Sequence, residues 1–524
     1  MKKSILSLSA AVALGGLGFA GSANAWVAFD NSGVASQLVL QNAGTGHQLF
    51  TPYYTANNGL ATLINIVNTD NTNGKAVKVR FRGATNSDDV LDFTLFLSPG
   101  DVWSGAVLQG ADGKATLNTN DKSCTIPTAD AWAGGVPFIT ERLPSYVTTD
   151  VQAALTREGY VEVLNMANIA PGTPLFTATK HVNGVAPCLG DVALTGTTSY
   201  QSLRENLLNT TADVSAAAAD GLVNPTGGLM GSWAILDLAN LGTYSGAQTA
   251  VVATNVAPDA TGTSPSVAAN MAFAPQIATP LGMQADAYTA DPLLTGATPI
   301  VAPLWFDLPD MSTPMYGASP TAQVTSLLGA LGKSNVINEY IATAAGAAVP
   351  FTTDWVVSQP TRRYHTAVDY KDKADNAVLV SSTVAAPYGT SLSLDKTNAF
   401  GPVACMQMSF SSTDREEKLV KTSASGGFSP GSAPVVNPYC GEVFVAQFGA
   451  TSALQANITK RAVTPVGDAG WASLGRVSGS TPVLLPMVGY SATLFTNAMT
   501  GSKYGLTLPH RWLYTAAPAP APTP

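Results

Sequence analysis

Charged side chains are scarce in this 524-residue chain, in which Asp, Glu, Lys and Arg together make up 11% of the residues. Typical soluble domains contain about 25%. Acidic residues outnumber basic ones by 34 to 26, which gives a formal net charge of −8. Because nucleic acids and anionic membrane surfaces are bound mainly through Lys and Arg, both are poor partners for this chain. Its solubility must come instead from Thr, Ser, Asn and Gln.

The sequence also lacks a recognisable catalytic constellation. Neither a zinc-binding H-E-x-x-H motif nor a P-loop occurs, and the four histidines are scattered: His47, His181, His365 and His510. We interpret His365 as a solvated residue at the end of a strand. Residues 427–431 match the hydrolase motif G-x-S-x-G, but Pro430 follows Ser429 and has no N–H for an oxyanion hole. We therefore expect no enzymatic activity, and no catalytic or cofactor-binding residues.

The N-terminus predicts export from the cytoplasm. Lys2 and Lys3 are followed by an apolar stretch over residues 5–20 and then by small residues suited to signal peptidase. We expect a signal peptide over residues 1–25, a mature chain that begins at Trp26, and a location at the cell surface or outside the cell. Later segments are not apolar enough to predict a transmembrane helix.

The four cysteines predict two disulfides, because an even number in an exported protein usually forms pairs. The residues are Cys124, Cys188, Cys405 and Cys440. Three pairings are possible, and we favour Cys124–Cys188 with Cys405–Cys440 because each is local to one half of the chain. Each would stabilise the fold by about 4 kcal/mol. A metal site is disfavoured, since there is no C-x-x-C spacing and no histidine within five residues of a cysteine.

The clearest strand pattern lies between Ala61 and Arg82. Residues 61–68 are apolar and rich in β-branched side chains, and residues 70–74 are dense in turn formers. Three apolar residues, Val77, Val79 and Phe81, then alternate with three cations, Lys78, Arg80 and Arg82. Alternation with period two predicts a strand with one buried face. We expect a β-hairpin whose cations point to solvent.

The rest of the chain predicts a mainly β fold, with immunoglobulin-like β-sandwiches, long loops and a few short helices. The 48 glycines and 34 prolines favour many turns. The turn at Ser98–Asp101, after an alternating strand, resembles turns in immunoglobulin-like domains of bacterial surface proteins. Further strands are expected over residues 160–166, 232–238, 247–254, 354–357, 377–384, 403–410, 442–448 and 483–495. Pro486 and Gly489 suggest a bulge or an edge strand in the last.

Five regions are expected along the chain. They are the signal peptide (1–25), an N-terminal β-sandwich region (26–200), a loop-rich insertion with a few strands (201–320), a helical hairpin followed by a C-terminal β region (321–515), and a Pro/Ala-rich tail (516–524). The hairpin is predicted from helical spacing of apolar residues over 321–331 and 334–345. The tail should be extended and outside the core.

Acidic pairs leave calcium binding open. Carboxylates at Asp88, Asp89 and Asp92, at Asp112 and Asp121, and at Asp372 and Asp375 could supply the oxygen ligands that Ca²⁺ prefers. Turn-forming Asp residues on solvated loops are the alternative. Adjacent aromatics at Tyr53 and Tyr54 could stack on sugars, although we expect them in the core.

Five segments can be singled out in chain order: Gly159–Val163, Asn338–Tyr340, Thr353–Arg362, Leu485–Tyr490 and Pro509–Arg511. Together they resemble a family of uncharacterised proteobacterial cell-surface proteins similar to nanopod-type surface-layer proteins. The resemblance implies an exported structural protein that self-assembles into a surface layer, sheath or tube, and it brings no catalytic residues with it. The main partner would then be the protein itself, with the outer-membrane surface or its polysaccharide as a further one. The alternative is a secreted adhesin or carbohydrate-binding module.

Overall fold

The computed structural model describes residues 27–28, 35–126, 134–189, 218–239, 242–255, 272–273, 309–313, 315, 320–343, 347, 350–370, 373–381, 387–388, 392–421, 437–478, 481–497 and 499–512. Predictions for the signal peptide, for most of residues 201–320, for residues 427–431 and for the tail lie outside this part of the chain.

The described residues of the first half form mainly strands and include two short helices within residues 134–189. The strands are β1 (Val27–Ala28), β2 (Gln37–Leu40), β3 (Thr45–Gly46), β4 (Gln48–Thr55), β5 (Leu60–Asn68), β6 (Gly74–Gly83), β7 (Asp89–Leu97), β8 (Val102–Gln109), β9 (Ala115–Asn118), β10 (Cys124–Ile126), β11 (Val136–Pro137), β12 (Glu158–Ile169), β13 (Leu222–Val223), β14 (Leu229–Asp237), β15 (Gly242–Ala247), β16 (Thr249–Thr254) and β17 (Ala272–Phe273). The helices are α1 (Thr149–Thr156) and α2 (Pro174–Thr179).

The second half begins with a helix and continues almost entirely in strands. The helix is α3 (Pro320–Leu331). The strands are β18 (Gly332–Lys333), β19 (Asn335–Ile341), β20 (Phe351–Ser358), β21 (Thr366–Asp369), β22 (Val378–Ser381), β23 (Leu392–Asp395), β24 (Val403–Asp414), β25 (Leu419–Lys421), β26 (Asn437–Cys440), β27 (Val443–Gln447), β28 (Lys460–Ala462), β29 (Ala469–Gly475), β30 (Val477–Ser478), β31 (Thr481–Pro482), β32 (Leu485–Pro486), β33 (Val488–Thr496) and β34 (Lys503–Pro509).

Four larger sheets organise these strands, which confirms a mainly β fold with few short helices. Sheet I has the order β10-β7-β6-β12-β4-β16-β2, and β13 pairs with β12. Sheet II has the order β11-β9-β8-β5-β14-β15, and β3 pairs with β14. Sheet III has the order β19-β29-β24-β23, and β25 and β26 pair with β24. Sheet IV has the order β28-β27-β20-β33-β34.

Sheets I and II form a sandwich with a common core. Val79 and Phe81 on β6 belong to the same buried cluster as Ile64 on β5 and Trp103 on β8. Tyr53 and Tyr54 are also fully buried, as expected for core residues. The inward direction predicted for the apolar residues of β6 is therefore confirmed.

Two other predictions for this segment are wrong. β5 and β6 do not form a hairpin, because β5 pairs with β8 and β14 in sheet II while β6 pairs with β7 and β12 in sheet I. The turn between them carries the chain from one sheet to the other. Lys78, Arg80 and Arg82 are almost completely buried, because a further layer of chain covers the second face of sheet I. Pro309, for example, accepts a hydrogen bond from Arg80.

The central strands of sheet IV, β20 and β27, are buried on both faces, and the sheet connects the two halves of the protein. Val356 on β20 belongs to the core of sheets I and II. Its neighbours Trp355 and Val357 point the other way, into a second core shared with Met406 and Leu474 of sheet III. The run of apolar residues on β20 follows from this position, since a strand covered on both faces needs apolar side chains on both.

The predicted helical hairpin is half correct. Helix α3 coincides with its first arm, but the second arm, residues 334–345, contains strand β19. Along β19, Asn338 and Tyr340 are buried while Glu339 and Ile341 are exposed, which is a period of two. The helical spacing of Ile337, Tyr340 and Ile341 was misleading because Ile341 is exposed and the segment pairs with β29 as a strand.

The remaining strand predictions coincide with observed strands in position. The last one divides at Met487 into β32 and β33, and β33 lies between β20 and β34 rather than at an edge. Both predicted disulfides, Cys124–Cys188 and Cys405–Cys440, are present. Among the described helices, none is both long and apolar enough to cross a bilayer.

Candidate functional site

Two of the five segments singled out in the sequence, Gly159–Val163 and Thr353–Arg362, contribute to a buried ionic cluster. The strand β12 supplies Glu162, and the chain just after β20 supplies Arg362 and Arg363. The cluster, all of whose members are at most 4% exposed, consists of Arg80, Arg82, Asp88, Asp89, Glu162, Asp310, Arg362, Arg363 and Glu442. Buried charges of this kind must be paired, because an isolated charge in a protein interior is strongly unfavourable.

Ion pairs within the cluster join distant parts of the chain. Arg82 Nε lies 3.4 Å from Glu162 Oε1, and Arg362 Nε lies 3.6 Å from Glu442 Oε1. Arg80 pairs with Asp89 on the adjacent strand. Arg362 also donates to the backbone carbonyls of Ala404 at 3.0 Å and Thr85 at 3.1 Å, which links sheet III to the corner of sheet I.

Ser87 lies in the middle of this cluster with an unusual backbone. Its φ angle is 57°, a left-handed conformation that is uncommon for residues other than glycine. The Ser87 hydroxyl donates to Glu442, and the Tyr160 hydroxyl lies 2.9 Å from it. The Ser87 carbonyl accepts from Arg82 and Arg363. Because Ser87 is fully buried, these contacts hold the chain together and leave its hydroxyl without access to an external substrate.

The cluster shifts the pKa values of its carboxyl groups in opposite directions. Burial raises the pKa of Asp88 to about 7, although Tyr370 donates a hydrogen bond to it. Burial would also raise the pKa of Asp89, but the charges of Arg80 and Arg82 outweigh it and hold that pKa well below the usual range. Asp89 is therefore a structural anion, and Asp88 titrates near neutral pH.

The acidic residues considered for calcium are placed differently from one another. Asp88 and Asp89 are in the cluster, and Asp92 Oδ1 lies 3.0 Å from Lys78 Nζ, so these three are not turn residues on a solvated loop. Asp112 pairs with Lys114 at the surface. Asp121 accepts hydrogen bonds from the backbone of Ser104 and Ser123. Asp375 lies in a short 3-10 turn, and Asp372 is outside the described residues.

The histidines also occupy separate places. His365 is fully buried and packs against the Tyr388 ring at 5.3 Å, so its interpretation as a solvated residue is wrong. His47 accepts a hydrogen bond from Ala253 N, and His181 Nδ1 lies 3.4 Å from Asp101 Oδ2. His510 packs against Trp355, and burial lowers its pKa to about 4.

One group of potential metal ligands occurs in the described part of the chain, formed by Asp395, Cys405 and Cys440. The two sulfur atoms already form a disulfide with each other. A disulfide sulfur is not a thiolate, and zinc and similar ions are bound by thiolates. This group is therefore a structural cross-link beside an aspartate.

The exposed surface of β34 is the strongest candidate for contact with a partner. Tyr504 is 57% exposed and Leu506 is 58% exposed, and both lie on the same face of this strand. The Tyr504 ring stacks on Phe495 of β33 at 5.6 Å, and Phe495 stacks on Phe351 of β20 at 5.2 Å. We call the row formed by Phe351, Phe495, Tyr504 and Leu506 the β34 surface.

A groove of about 250 Å³ runs along the β34 surface. Glu339 and Ile341 of β19 line one side, and Leu506 and Leu508 of β34 line the other. The opposite face of β34 packs on β15, where Thr507 donates to the Ser245 carbonyl. The sequence signal for this surface is the alternation of apolar residues in KYGLTLP, although β34 is not among the predicted strands.

Comparison with known proteins gives no relative. The chain matches no family model, no curated protein and no solved structure.

Proposed function

We propose that this protein is an exported structural protein that self-assembles at the cell surface into a layer, sheath or tube. The β34 surface is the observation that carries the proposal. Exposed apolar side chains on an edge strand favour association, because the strand offers both apolar area and backbone groups that another chain can pair with. Many weak contacts of this kind act together in a repeated array.

Two other sheet edges, those at β2 and β19, are covered, which supports the choice of β34. Helix α3 lies beside the edge strand β2, where Leu38 N donates to Ser326 Oγ at 3.0 Å. At the edge of β19, Ile341 N donates to Thr353 Oγ1 at 3.0 Å, and Trp355 Nε1 donates to the Glu339 carbonyl at 3.0 Å. On the outer side of β34, no strand of the described chain continues sheet IV.

The low charge of the chain also supports association between copies. Only 11% of its residues are charged, so the electrostatic repulsion between copies is weak. At moderate ionic strength, salt screens this repulsion further at distances beyond about 10 Å. The charged residue within β34 is Lys503, which pairs with Asp237 at 3.3 Å. Charge on this strand therefore opposes the approach of a second copy very little.

The test is assembly of the purified mature protein, followed by sedimentation and electron microscopy with and without Ca²⁺. We expect ordered sheets or tubes from the wild-type protein and a monomer from Leu506→Lys, because a lysine on the edge strand blocks pairing. Leu484→Lys is the matched control, since Leu484 is 53% exposed at a different place. A wild-type protein that stays monomeric under all these conditions would contradict the proposal.

An adhesin or carbohydrate-binding module is the second candidate, because stacked aromatic rings beside a groove also suit sugars. This alternative would be favoured if the wild-type protein is a monomer that binds glycans and the Tyr504→Ala variant does not bind them.

A further inference from the structure

Lys75 and Asn168 face each other at the start of β6 and the end of β12, two neighbouring strands of sheet I. They are 0% and 2% exposed, and Lys75 Nζ donates to Asn168 Oδ1 at 3.0 Å. A fully buried lysine normally pairs with a carboxylate at close range. Here the neutral amide is in contact, while the carboxylate of Asp70 lies 3.7 Å from the amine. The amine is therefore next to the amide carbonyl group, with a carboxylate behind it.

The Asn168 amide is held at both of its polar atoms. Its oxygen also accepts from Thr226 N at 3.3 Å and from Asn165 Nδ2 at 3.4 Å. Its nitrogen donates to Thr226 Oγ1 at 2.8 Å. Donors aimed at a carbonyl oxygen stabilise the negative charge that develops there when a nucleophile adds to the carbon. The amide is thus polarised and fixed in orientation against the amine.

The surroundings also favour the neutral amine, which is the nucleophilic form. Burial lowers the pKa of Lys75 to about 8, despite the opposing charge of Asp70. Burial acts to raise the pKa of Asp70, but hydrogen bonds from the backbone of Asn73 and Thr72 outweigh it, and that pKa is lowered. Asp70 is therefore an anion that can accept a proton from Lys75.

We propose that Lys75 and Asn168 react with each other in the folded protein and form an isopeptide bond that cross-links β6 to β12. Asp70 takes a proton from the Lys75 ammonium, and the neutral Nζ adds to Asn168 Cγ. The C–N bond to Nδ2 then breaks as Asp70 returns the proton to the leaving nitrogen. The leaving nitrogen is then ammonia. Nζ gives its second proton to this ammonia, which departs as ammonium, and Asp70 is again a carboxylate.

This cross-link does not depend on the proposed self-assembly. It would join two central strands of sheet I whose linked residues are 93 positions apart. A covalent bond across such a loop restricts the unfolded chain in the same way as a disulfide. Unlike a disulfide, it would remain under reducing conditions, so reduction of the protein would not remove it.

The test is the intact mass of the mature protein, followed by peptide mapping. We expect the mass to be lower than that of the disulfide-bonded sequence by one ammonia molecule. Digestion should give a branched peptide in which the segments around Lys75 and Asn168 are joined. A wild-type mass equal to that of the disulfide-bonded sequence, with these residues in separate peptides, would overturn the proposal.

Three variants separate the chemistry from other causes of mass loss. Lys75→Met removes the nucleophile and should restore the full mass. Asp70→Asn keeps the amine and the amide but removes the proton acceptor, so most of the protein should keep the full mass. Asp112→Asn is the matched control, because Asp112 also pairs with a lysine, Lys114, but at the surface and without a neighbouring amide. This variant should lose one ammonia molecule, as the wild type does. Mass loss that persists in Lys75→Met would contradict the assignment.

Discussion

Thr459 donates two hydrogen bonds to one carboxylate oxygen of Glu158, from its backbone N at 3.0 Å and from its hydroxyl at 2.7 Å, although the residues are 301 positions apart. Asn457 N donates to the other oxygen at 2.6 Å, and the Asn57 side chain contacts it as well. Glu158 is fully buried at the start of β12. Its carboxylate therefore fixes a loop of the C-terminal half onto the N-terminal sandwich.

Removal of this carboxylate should be strongly destabilising. Glu158→Ala leaves several buried donors without an acceptor, and we expect a loss of about 3–5 kcal/mol in the free energy of unfolding. Glu158→Gln keeps the shape and one acceptor oxygen, so its loss should be smaller. Urea denaturation followed by tryptophan fluorescence measures both. If Glu158→Ala is as stable as the wild type, the carboxylate does not hold the two halves together.

A second buried carboxylate predicts a pH dependence. Asp354 on β20 accepts from Leu454 N at 2.9 Å and from the Ser452 hydroxyl, yet burial raises its pKa to about 7. An unfolded aspartate titrates near 4. Because the pKa of Asp354 is higher in the folded state, this residue contributes its full stabilisation below about pH 4. That contribution is lost as the pH rises through about 7.

The difference between wild type and Asp354→Asn isolates this effect from other titrating groups. Relative to the variant, the wild type should lose free energy of unfolding between about pH 4 and 7, by at most about 1.4 kcal/mol per pH unit. Above pH 7 the difference should be constant. Denaturant melts at several pH values give the curve, and a difference that does not vary over this window would show that Asp354 is already ionised in the folded protein.

The structure of β6 could be predicted only in part from its sequence. The alternation from Val77 to Arg82 correctly predicts a strand and its apolar face. It does not predict what covers the other face, because the covering residues come from distant segments: Asp310 and Tyr364 both lie close to Arg82. Similarly, turn-forming residues after β5 predict a change of direction but not the choice of the next sheet.

The buried position of the cations changes the expected effect of their mutation. Lys78 Nζ lies 3.0 Å from Asp92 Oδ1, and both side chains are buried. Lys78→Ala should cost about 3–5 kcal/mol, because it removes one partner of a buried ion pair. This equals the loss of about 3–5 kcal/mol expected for Phe81→Ala in the core. Lys114→Ala, at an exposed pair, should change stability by at most about 1 kcal/mol.

These three variants are compared by urea midpoints at constant m-value. A small effect of Lys78→Ala, close to that of Lys114→Ala, would mean that water reaches this face of sheet I.

The buried ionic cluster could not be predicted from the sequence for a similar reason. Ser87 and Glu442 are 355 positions apart, and their contact depends on how sheet IV packs on the sandwich. The cysteines were more informative because chemistry limits their partners to one another. Four cysteines allow three pairings, and locality along the chain selects the observed one.

The two disulfides should protect different kinds of structure. Cys405 and Cys440 are opposite each other on β24 and β26, strands that also pair through three further residues on each. Cys124 on β10 is joined to Cys188 in a short 3-10 turn, Pro187–Leu189.

Each double Cys→Ala variant should lose about 4 kcal/mol of global stability. In native-state hydrogen exchange, only loss of Cys124–Cys188 should cause local opening at β10 and residues 187–189, because local stability depends on the remaining contacts. Equal protection of these segments in both variants would contradict this difference.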